Sequence, residues 1–356
     1  MIKKQLNVLV VDDSAVVRQI IQQVLSTEPN ILVDTSSDPM FALRKMEKKL
    51  PDVLITDLEM PRMNGIEFIR KVMHEHPVPV IVCSGLAEKG TIMALQALDL
   101  GAVEIITKPK VGVKDFLHES AVVLIDAVYG AAQSRLRSRV APAPLPLHSA
   151  DVILPLRLSH TNATAGPLIV IGASTGGVEA LTCILRAMPA DAPPILVAQH
   201  MPEHFTRAFA ERLNLDCVIE VHEAEDGQRL HRGLALIAPG NHHLLVRSDD
   251  QGYFAEVDSG PLVSRHRPSV DVLYRSAACV ARDKAIGVIL TGMGDDGSKG
   301  LLEMRQAGAQ TIAEAESSCI VFGMPREAIQ CGAAMSILPL QKIAPAILSI
   351  LHARYC

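Results

Sequence analysis

The sequence contains no tryptophan, few aromatic residues and no excess of basic charge. Aromatic residues make up 3% of the 356 residues, so we expect cores built from Val, Ile, Leu and Ala. The net charge of −5 argues against the basic surface that nucleic-acid-binding proteins usually carry. The sequence has no apolar run that could span a membrane, and its start lacks the pattern of a signal peptide. We therefore expect a cytoplasmic protein without nucleic-acid binding or membrane insertion.

The cysteines form no C-x-x-C pair, and their number is odd. This pattern argues against a zinc site and against a framework of disulfides. Thiols of cytoplasmic proteins stay reduced, so we expect free, buried cysteines. The seven cysteines are Cys83, Cys183, Cys217, Cys279, Cys319, Cys331 and Cys356.

Two regions of α/β pattern flank a proline-rich segment. Short apolar runs alternate with amphipathic stretches in residues 6–125 and again in 166–356. This alternation predicts parallel sheets covered by helices on both faces. Prolines and arginines are concentrated in residues 131–165, which we interpret as a linker. We therefore assign residues 1–130 and 166–356 to two α/β domains.

Acidic side chains end two predicted strands of the first domain. Asp12 and Asp13 follow the first strand and Asp57 follows the third, so these carboxylates are expected to meet at one sheet edge. They could simply cap the following helices. However, clustered carboxylates suit Mg²⁺, and Ser84 and Lys108 end two further strands where they could hold a phosphoryl group. The full set favours a site for phosphoryl transfer to an aspartate.

These residues resemble the receiver domain of bacterial response regulators. The matching segments are Val10–Ser14, Thr56–Gly65 and Thr107–Pro109. The resemblance implies a flavodoxin-like fold with a five-stranded parallel sheet, and phosphorylation of Asp57 by a histidine kinase. Ser84 and Lys108 occupy the switch-hydroxyl and lysine positions, whereas Ile106 replaces an aromatic residue that is common in receivers. The Mg²⁺ ligands that it implies are Asp13, Asp57, the carbonyl of Glu59 and, directly or through water, Asp12.

Three motifs of the second domain follow strand-like apolar runs. The segment Gly172–Gly176 fits G-x-S-x-G, which places Ser174 on a tight turn and the N–H of Thr175 at the head of a helix. His200 and Asp296 follow two other predicted strands. A nucleophile, a base and an orienting acid would thus meet at one sheet edge. Taken singly, the serine motif also fits a packing turn and His200 a structural histidine.

The segment Gly292–Gly297 also matches the G-x-G-x-x-G pattern of dinucleotide-binding proteins. Glu314 or Glu316 stands where such a site needs a ribose-binding acid. Asp295 and Asp296 argue against this interpretation, because carboxylates at the helix N-terminus would repel a pyrophosphate. The order Ser, His, Asp also differs from the Ser, Asp, His order of the α/β-hydrolases.

The second domain resembles the catalytic domain of the chemotaxis protein-glutamate methylesterases, the CheB family. The matching segments are Gly172–Gly177, Gln199–Pro202, Ile237–Asn241, His266–Asp271 and Leu290–Gly297. The resemblance implies a doubly wound α/β fold and a triad of Ser174, His200 and Asp296 that needs no cofactor. It also implies that the N–H groups of Thr175 and Met293 bind the oxyanion.

The two resemblances together imply a phosphorylation-activated hydrolase of chemotaxis adaptation. It would remove methyl esters from glutamate residues of chemoreceptors, release methanol and deamidate receptor glutamines. Its partners would be a histidine kinase and the methylated cytoplasmic helices of chemoreceptors. The alternatives are a receiver-coupled dinucleotide-binding oxidoreductase, a DNA-binding response regulator and a catalytically inactive receptor adaptor. A further hypothesis places His266 and Arg267 in the substrate groove.

Overall fold

The computed structural model divides the chain into two compact units, Met1–Val140 and Ala141–Cys356. It describes residues 5–85, 93–94, 96–98, 100–108, 114–134, 148–156, 166–203 and 205–355. Both units are built on parallel β-sheets, as the alternating apolar and amphipathic segments predict.

The first unit contains a five-stranded parallel sheet in the order β2-β1-β3-β4-β5. Its strands are β1 (Leu6–Val11), β2 (Ile31–Ser36), β3 (Val53–Thr56), β4 (Val80–Ser84) and β5 (Glu104–Thr107). The helices with described bounds are α1 (Ala15–Leu25), α2 (Pro39–Lys48), α3 (Gly65–Glu75) and α4 (Lys114–Gln133). Residues 93–94 and 96–98 are also helical. This strand order is that of flavodoxin-like folds, so the predicted fold of this unit is confirmed.

Side-chain caps start the helices of the first unit close to the sheet edge. Ser14 is the N-cap of α1 and accepts a hydrogen bond from Val17 N. Asp38 and Asn64 cap α2 and α3 in the same way. A capped start satisfies N–H groups that the helix itself leaves free. The chain therefore turns from β1 into α1 over residues 12–14, which keeps Asp12 and Asp13 at the carboxyl end of the strand.

The second unit contains a seven-stranded sheet in the order β14-β13-β12-β6-β7-β9-β8. Its strands are β6 (Leu168–Ala173), β7 (Ile195–Gln199), β8 (Glu220–Glu223), β9 (Leu234–Ile237), β12 (Ala285–Ile289), β13 (Gln310–Glu314) and β14 (Ser336–Leu338). The helices are α5 (Gly177–Arg186), α6 (Phe205–Asp216), α7 (Val270–Val280), α8 (Ser298–Gln306), α9 (Met324–Gln330) and α10 (Leu340–Tyr355). The strand pairs are all parallel, and the predicted doubly wound fold is confirmed.

The strand order of the second unit reverses between β6 and β12. From β6 the chain builds the sheet outward through β7, and it later returns to β12 and builds in the opposite direction. Such a reversal opens a crevice beyond the carboxyl ends of the two strands, where ligands bind in open α/β sheets. The loops after β6, β7 and β12 therefore meet where the fold favours a site.

An antiparallel hairpin lies outside the alternating pattern. It consists of β10 (His243–Asp249) and β11 (Gly252–Asp258). Leu244 and Val246 of β10 are buried in the same core as Tyr274 of α7, so the hairpin covers one helix layer. The last helix also extends beyond the predicted stretch from Ile343 to Leu351 at both ends, and it contains Pro345.

The predicted linker contains a segment that packs onto the second unit. Ala150 is buried with Leu245, Val263 and Val272 in a small apolar cluster. Arg275 Nη1 also donates a hydrogen bond of 2.6 Å to Asp151. At the other end, α4 continues to Gln133, past the expected start of the linker at residue 131. The proline- and arginine-rich residues 135–147 and 157–165 lie outside the described residues.

The cysteine prediction is correct for bonding state but wrong for the burial of two thiols. The six described cysteines are free, and Cys83 and Cys279 are buried. Cys183 and Cys331 are exposed, because they lie on the solvent side of α5 and at the C-cap of α9. Cys356 lies outside the described residues. None of the helices in the described ranges is long and apolar enough to cross a membrane.

Candidate active site

Three carboxylates meet at the carboxyl ends of β1 and β3 in the first unit. Oxygen atoms of Asp12, Asp13 and Asp57 all lie within 4.8 Å of one another. The pairing of Val11 with Thr56 places the two strand ends side by side. Asp12 and Asp57 are buried, whereas Asp13 is exposed. The structure thus assembles the acid cluster expected from the strand ends.

Lys108 joins this cluster from the end of β5. Its Nζ lies 2.7 Å from Asp57 Oδ2 and 3.2 Å from Asp12 Oδ2. Burial alone lowers the pKa of Lys108, but the hydrogen bond and charge of Asp57, together with Asp12, outweigh burial and raise it. Ser84 is buried at the end of β4, and its carbonyl accepts a hydrogen bond from Lys108 N. Glu59 lies exposed in the loop after β3.

The acid cluster fits a hard divalent cation. Asp12 Oδ2 is buried and has no hydrogen-bond partner among the described residues, although Lys108 is near. Burial raises the pKa of Asp12, the neighbouring Asp57 adds to that shift, and Lys108 opposes it. A cation among the carboxylates would bind this buried oxygen and offset the repulsion between them. Oxygen ligands of this kind suit Mg²⁺.

In the second unit, Ser174 lies on a sharp turn between β6 and α5. Its N–H donates a hydrogen bond of 3.0 Å to Thr291 O, and its carbonyl accepts one of 2.7 Å from Gly177 N. Gly176 adopts a φ of +80°, which favours glycine because a side chain is strained there. A Cβ on Gly292 would lie 2.6 Å from Ser174 Cβ, so the loop after β12 needs glycine to approach the serine.

His200 follows β7 and reaches the same edge. Its N–H donates a hydrogen bond to Ala173 O in the strand that leads to Ser174. His200 Nε2 lies 2.8 Å from Asp296 Oδ2. Because a carboxylate only accepts, this pair assigns the proton to Nε2 and leaves Nδ1 as the basic nitrogen. Nδ1 is buried and has no hydrogen-bond partner among the described residues.

Asp296 is fully buried and receives four hydrogen bonds. Besides His200, the donors are Ser269 Oγ at 2.8 Å, Val270 N at 2.8 Å and Asp271 N at 3.1 Å. Burial alone raises the pKa of Asp296, but the bond and charge of His200 and the other donors outweigh burial and lower it. The carboxylate therefore remains ionised and can orient His200 and stabilise its protonated form.

Two buried residues of the sequence motifs tie the triad together, although sequence reasoning assigned them no role. Gln199 Nε2 donates hydrogen bonds of 3.0 Å to the carbonyls of both Ser174 and His200. Thr291 accepts from Ser174 N through its carbonyl and donates from Oγ1 to Thr175 O at 2.9 Å. Gln199 is the last residue of β7, and Thr291 lies two residues after β12, so the position near a strand end was the signal available in the sequence. The backbones of the nucleophile and the base are therefore fixed relative to each other.

The two predicted oxyanion donors lie on turns that meet at Ser174. Thr175 is buried between Ser174 and the start of α5. Met293 follows Gly292, whose carbonyl accepts the N–H groups of Gly323 and Met324. These bonds fix the turn that carries Met293. Fixed backbone N–H groups suit an oxyanion because they need no rearrangement when charge develops.

The ring of His266 stacks on the ring of His200. Their centroids are 3.8 Å apart and the planes differ by 4°. His266 Nδ1 lies 2.7 Å from Ser264 O, which assigns its proton to that nitrogen. Burial lowers the pKa of His266, and the charge of His200 lowers it further. These effects favour the neutral form of His266.

The same stack argues against a metal ion held by the triad. Nitrogen and oxygen atoms of His200, His266 and Asp296 lie within 4.8 Å of one another. A histidine binds a metal through a lone pair in the plane of its ring. Two parallel rings one above the other do not direct their lone pairs to a common point. The geometry therefore disfavours a metal ion bound by both histidines.

Replacing His266 by Ala is expected to lower kcat about tenfold and to leave KM nearly unchanged. The reason is that an aromatic stack of this kind contributes about 0.5–1.5 kcal/mol, which here fixes the plane of the catalytic base. Steady-state ester hydrolysis would measure the effect. His266→Phe keeps a stacked ring and is expected to retain most of kcat. An increase in KM with unchanged kcat would assign His266 to substrate binding instead.

The dinucleotide-binding interpretation finds no support at this edge. Of the two candidates for binding ribose, Glu314 is buried and accepts hydrogen bonds from Thr291 N and Ser318 Oγ, whereas Glu316 is exposed. Asp296 occupies the turn before α8, where a pyrophosphate would need the helix N-terminus. An ionised, buried carboxylate at this point repels a diphosphate.

Comparison with known proteins identifies a family for each of the two units. The family model of the CheB methylesterase matches residues 169–347, and that of the response regulator receiver domain matches residues 8–117. The protein-glutamate methylesterase/protein-glutamine glutaminase 3 of Geobacter metallireducens is 53% identical over 352 residues, covering 98% of this chain and 99% of its own. The chain belongs to the CheB methylesterase family. The protein-glutamate methylesterase/protein-glutamine glutaminase 1 of Photobacterium profundum is 52% identical, covering 97% of this chain and 100% of its own.

A solved structure supports the CheB fold of the second unit. The crystal structure of the Thermotoga maritima CheB methylesterase catalytic domain is 40% identical and has a TM-score of 0.52. It covers 52% of this chain and 100% of that chain. The near-full-length relatives and the two family models cover both units, so the two resemblances stated from sequence are confirmed.

Proposed function

We propose that the chain is a phosphorylation-activated protein-glutamate methylesterase that also deamidates glutamine side chains of chemoreceptors. The observation that carries the proposal is the 2.8 Å contact between His200 and Asp296 beside the Ser174 turn. The names of the relatives, protein-glutamate methylesterase/protein-glutamine glutaminase, support the choice of substrates. We assign residues 1–130 to the receiver, 131–165 to the linker and 166–356 to the catalytic domain.

Acylation begins when His200 Nδ1 takes the proton of Ser174 Oγ. The oxygen attacks the ester carbonyl carbon, and the negative charge moves to the carbonyl oxygen, where the N–H groups of Thr175 and Met293 stabilise it. Asp296 stabilises the positive charge on His200. When the tetrahedral intermediate collapses, the carbon–methoxy bond breaks and His200 gives its proton to the leaving oxygen. Methanol departs and the glutamyl group remains bonded to Ser174.

Deacylation repeats these steps with water as the nucleophile. His200 accepts a proton from the water, the bond to Ser174 Oγ breaks, and the serine recovers its proton. The product is a glutamate carboxylate. A glutamine substrate follows the same route, with protonated nitrogen leaving as ammonia instead of methanol. One constellation therefore accounts for both the esterase and the deamidase reaction.

Phosphorylation is assigned to Asp57 in the receiver, with a histidine kinase as the phosphodonor. Lys108, 2.7 Å from Asp57, would neutralise a phosphoryl oxygen, and Ser84 would donate its hydroxyl. Asp12, Asp13, Asp57 and the carbonyl of Glu59 would hold Mg²⁺, which supplies neutralising charge to the phosphoryl group when bound. The catalytic domain uses no cofactor in this proposal.

Methanol release from methylated receptor membranes tests the proposed function. We expect the wild-type protein to release methanol, and a small-molecule phosphodonor with Mg²⁺ to increase the rate. Release that the phosphodonor does not change would contradict regulation by the receiver. No release from a folded protein would contradict the esterase assignment and leave an adaptor role as the better hypothesis.

Asp57→Asn is expected to abolish phosphorylation and the stimulation by the phosphodonor, since an amide oxygen is too weak a nucleophile to form an acyl phosphate. Incorporation of labelled phosphate and methanol release would be measured together. Asp34→Asn, an exposed aspartate of β2, is the matched control and should behave as wild type. Stimulation that persists in Asp57→Asn would place the phosphorylated residue elsewhere.

A further inference from the structure

Arg265 lies beside the triad on a strained turn. Ser264 and Arg265 adopt φ values of +49° and +70°, a region that residues with side chains rarely occupy. The next residue, His266, stacks on the catalytic histidine. Arg265 Nη2 also lies 3.9 Å from Asp295 Oδ1, next in sequence to the catalytic aspartate. Backbone strain of this kind is concentrated at functional sites.

Hydrogen bonds from several elements hold this turn in place. Ser264 Oγ donates to Asp271 Oδ2 at 3.0 Å, and Ser264 N donates to His148 O at 3.1 Å. Val263 and His266 exchange backbone hydrogen bonds of 3.1 and 2.8 Å across the turn. The position of the Arg265 backbone is therefore determined by its surroundings, which preorganises its side chain next to the site.

The Nε donor of Arg265 has no hydrogen-bond partner among the described residues, whereas the guanidinium of Arg267 is hydrogen-bonded. The Nε of Arg265 is buried, and 26% of the side chain is exposed. Arg267, in contrast, donates to Asn241 Oδ1 at 2.6 Å and to Gly260 O at 2.7 Å, so its guanidinium fixes the loop. A buried donor without a partner requires an explanation, and a ligand supplies one.

The geometry points to Arg265 as a specificity residue that binds an acidic side chain of the substrate next to the glutamyl ester. The Nε and Nη2 atoms form one edge of the guanidinium, and such an edge binds a carboxylate through two parallel hydrogen bonds. Asp295, at 3.9 Å from Nη2, is too distant for a hydrogen bond and leaves that edge available. The inference rests on the proposed function, because it concerns the substrate of the same site.

The test compares two methylated receptor fragments with full-length enzyme. One fragment carries a glutamate next to a single glutamyl methyl ester, and the other carries alanine in its place. We expect the wild type to have a lower KM for the acidic fragment by about 10- to 100-fold, the range of a hydrogen-bonded charge pair. Arg265→Ala should remove this preference, so that its KM values for the two fragments become nearly equal. Arg265→Lys should restore only part of it.

Arg229→Ala is the matched control, because it removes one positive charge from a surface pair with Asp249 and should preserve the preference. Equal kinetic constants of the wild type for the two fragments would overturn the inference while leaving the esterase assignment intact. An equal loss on both fragments in Arg265→Ala would also overturn it. No methanol from either fragment with the wild type would instead contradict the proposed function, and the inference would fall with it.

Discussion

Ser174→Ala is expected to lower the rate of methanol release by about 10³- to 10⁶-fold. The reason is that the covalent route disappears when the hydroxyl is removed. The remaining donors of Thr175 and Met293 can then only polarise the ester for attack by water. Release would be measured from methylated receptor membranes at saturating substrate.

The variant should fold normally. Ser174 is anchored through its backbone, which donates to Thr291 O and accepts from Gly177 N, and alanine keeps both bonds. We therefore expect a melting temperature within about 2 °C of wild type. Ser248→Ala, an exposed serine of β10, is the control and should retain full activity. Wild-type rates in a folded Ser174→Ala protein would show that another group attacks the ester.

The positions of the triad residues could be predicted because each follows a strand of a parallel sheet. Apolar runs identify such strands from sequence, and parallel strands bring their carboxyl ends to one edge. The register then places Ala173 of β6 beside Gln199 of β7, directly before the nucleophile and the base. The same reasoning located Asp12 and Asp57 in the first unit. The sequence pattern therefore predicts which residues lie at the carboxyl ends of the strands.

The supporting residues could not be predicted in the same way. His266 reaches His200 only because Ser264 and Arg265 adopt left-handed conformations, which no periodicity reports. The bonds of Arg267 to Asn241 and Gly260 could not be predicted for a similar reason, because they depend on tertiary contacts. Side chains on irregular loops take their partners from the fold, and their sequence positions carry little of that information.

Asp296→Asn is expected to lower kcat by about 10⁴-fold. The carboxylate accepts the proton of His200 Nε2 across 2.8 Å and so leaves Nδ1 free to act as the base. An asparagine whose oxygen keeps the hydrogen bonds from Ser269 Oγ and Asp271 N, both of which reach Oδ1 of the aspartate, must turn its NH₂ group toward His200. An NH₂ group donates, so Nε2 would have to accept and the ring proton would move to Nδ1. His200 then has no lone pair to take the proton from Ser174.

This loss is distinguishable from misfolding, because asparagine has nearly the same shape and the variant should melt cooperatively. Asp283→Asn, an exposed aspartate of the same unit, controls for the loss of one negative charge and should retain wild-type kcat. Single-turnover hydrolysis would show whether the loss lies in the attack of Ser174, as the wrong proton position requires. A folded Asp296→Asn protein with kcat within about tenfold of wild type would mean that orientation of His200 depends mainly on the His266 stack and on Gln199 rather than on the carboxylate.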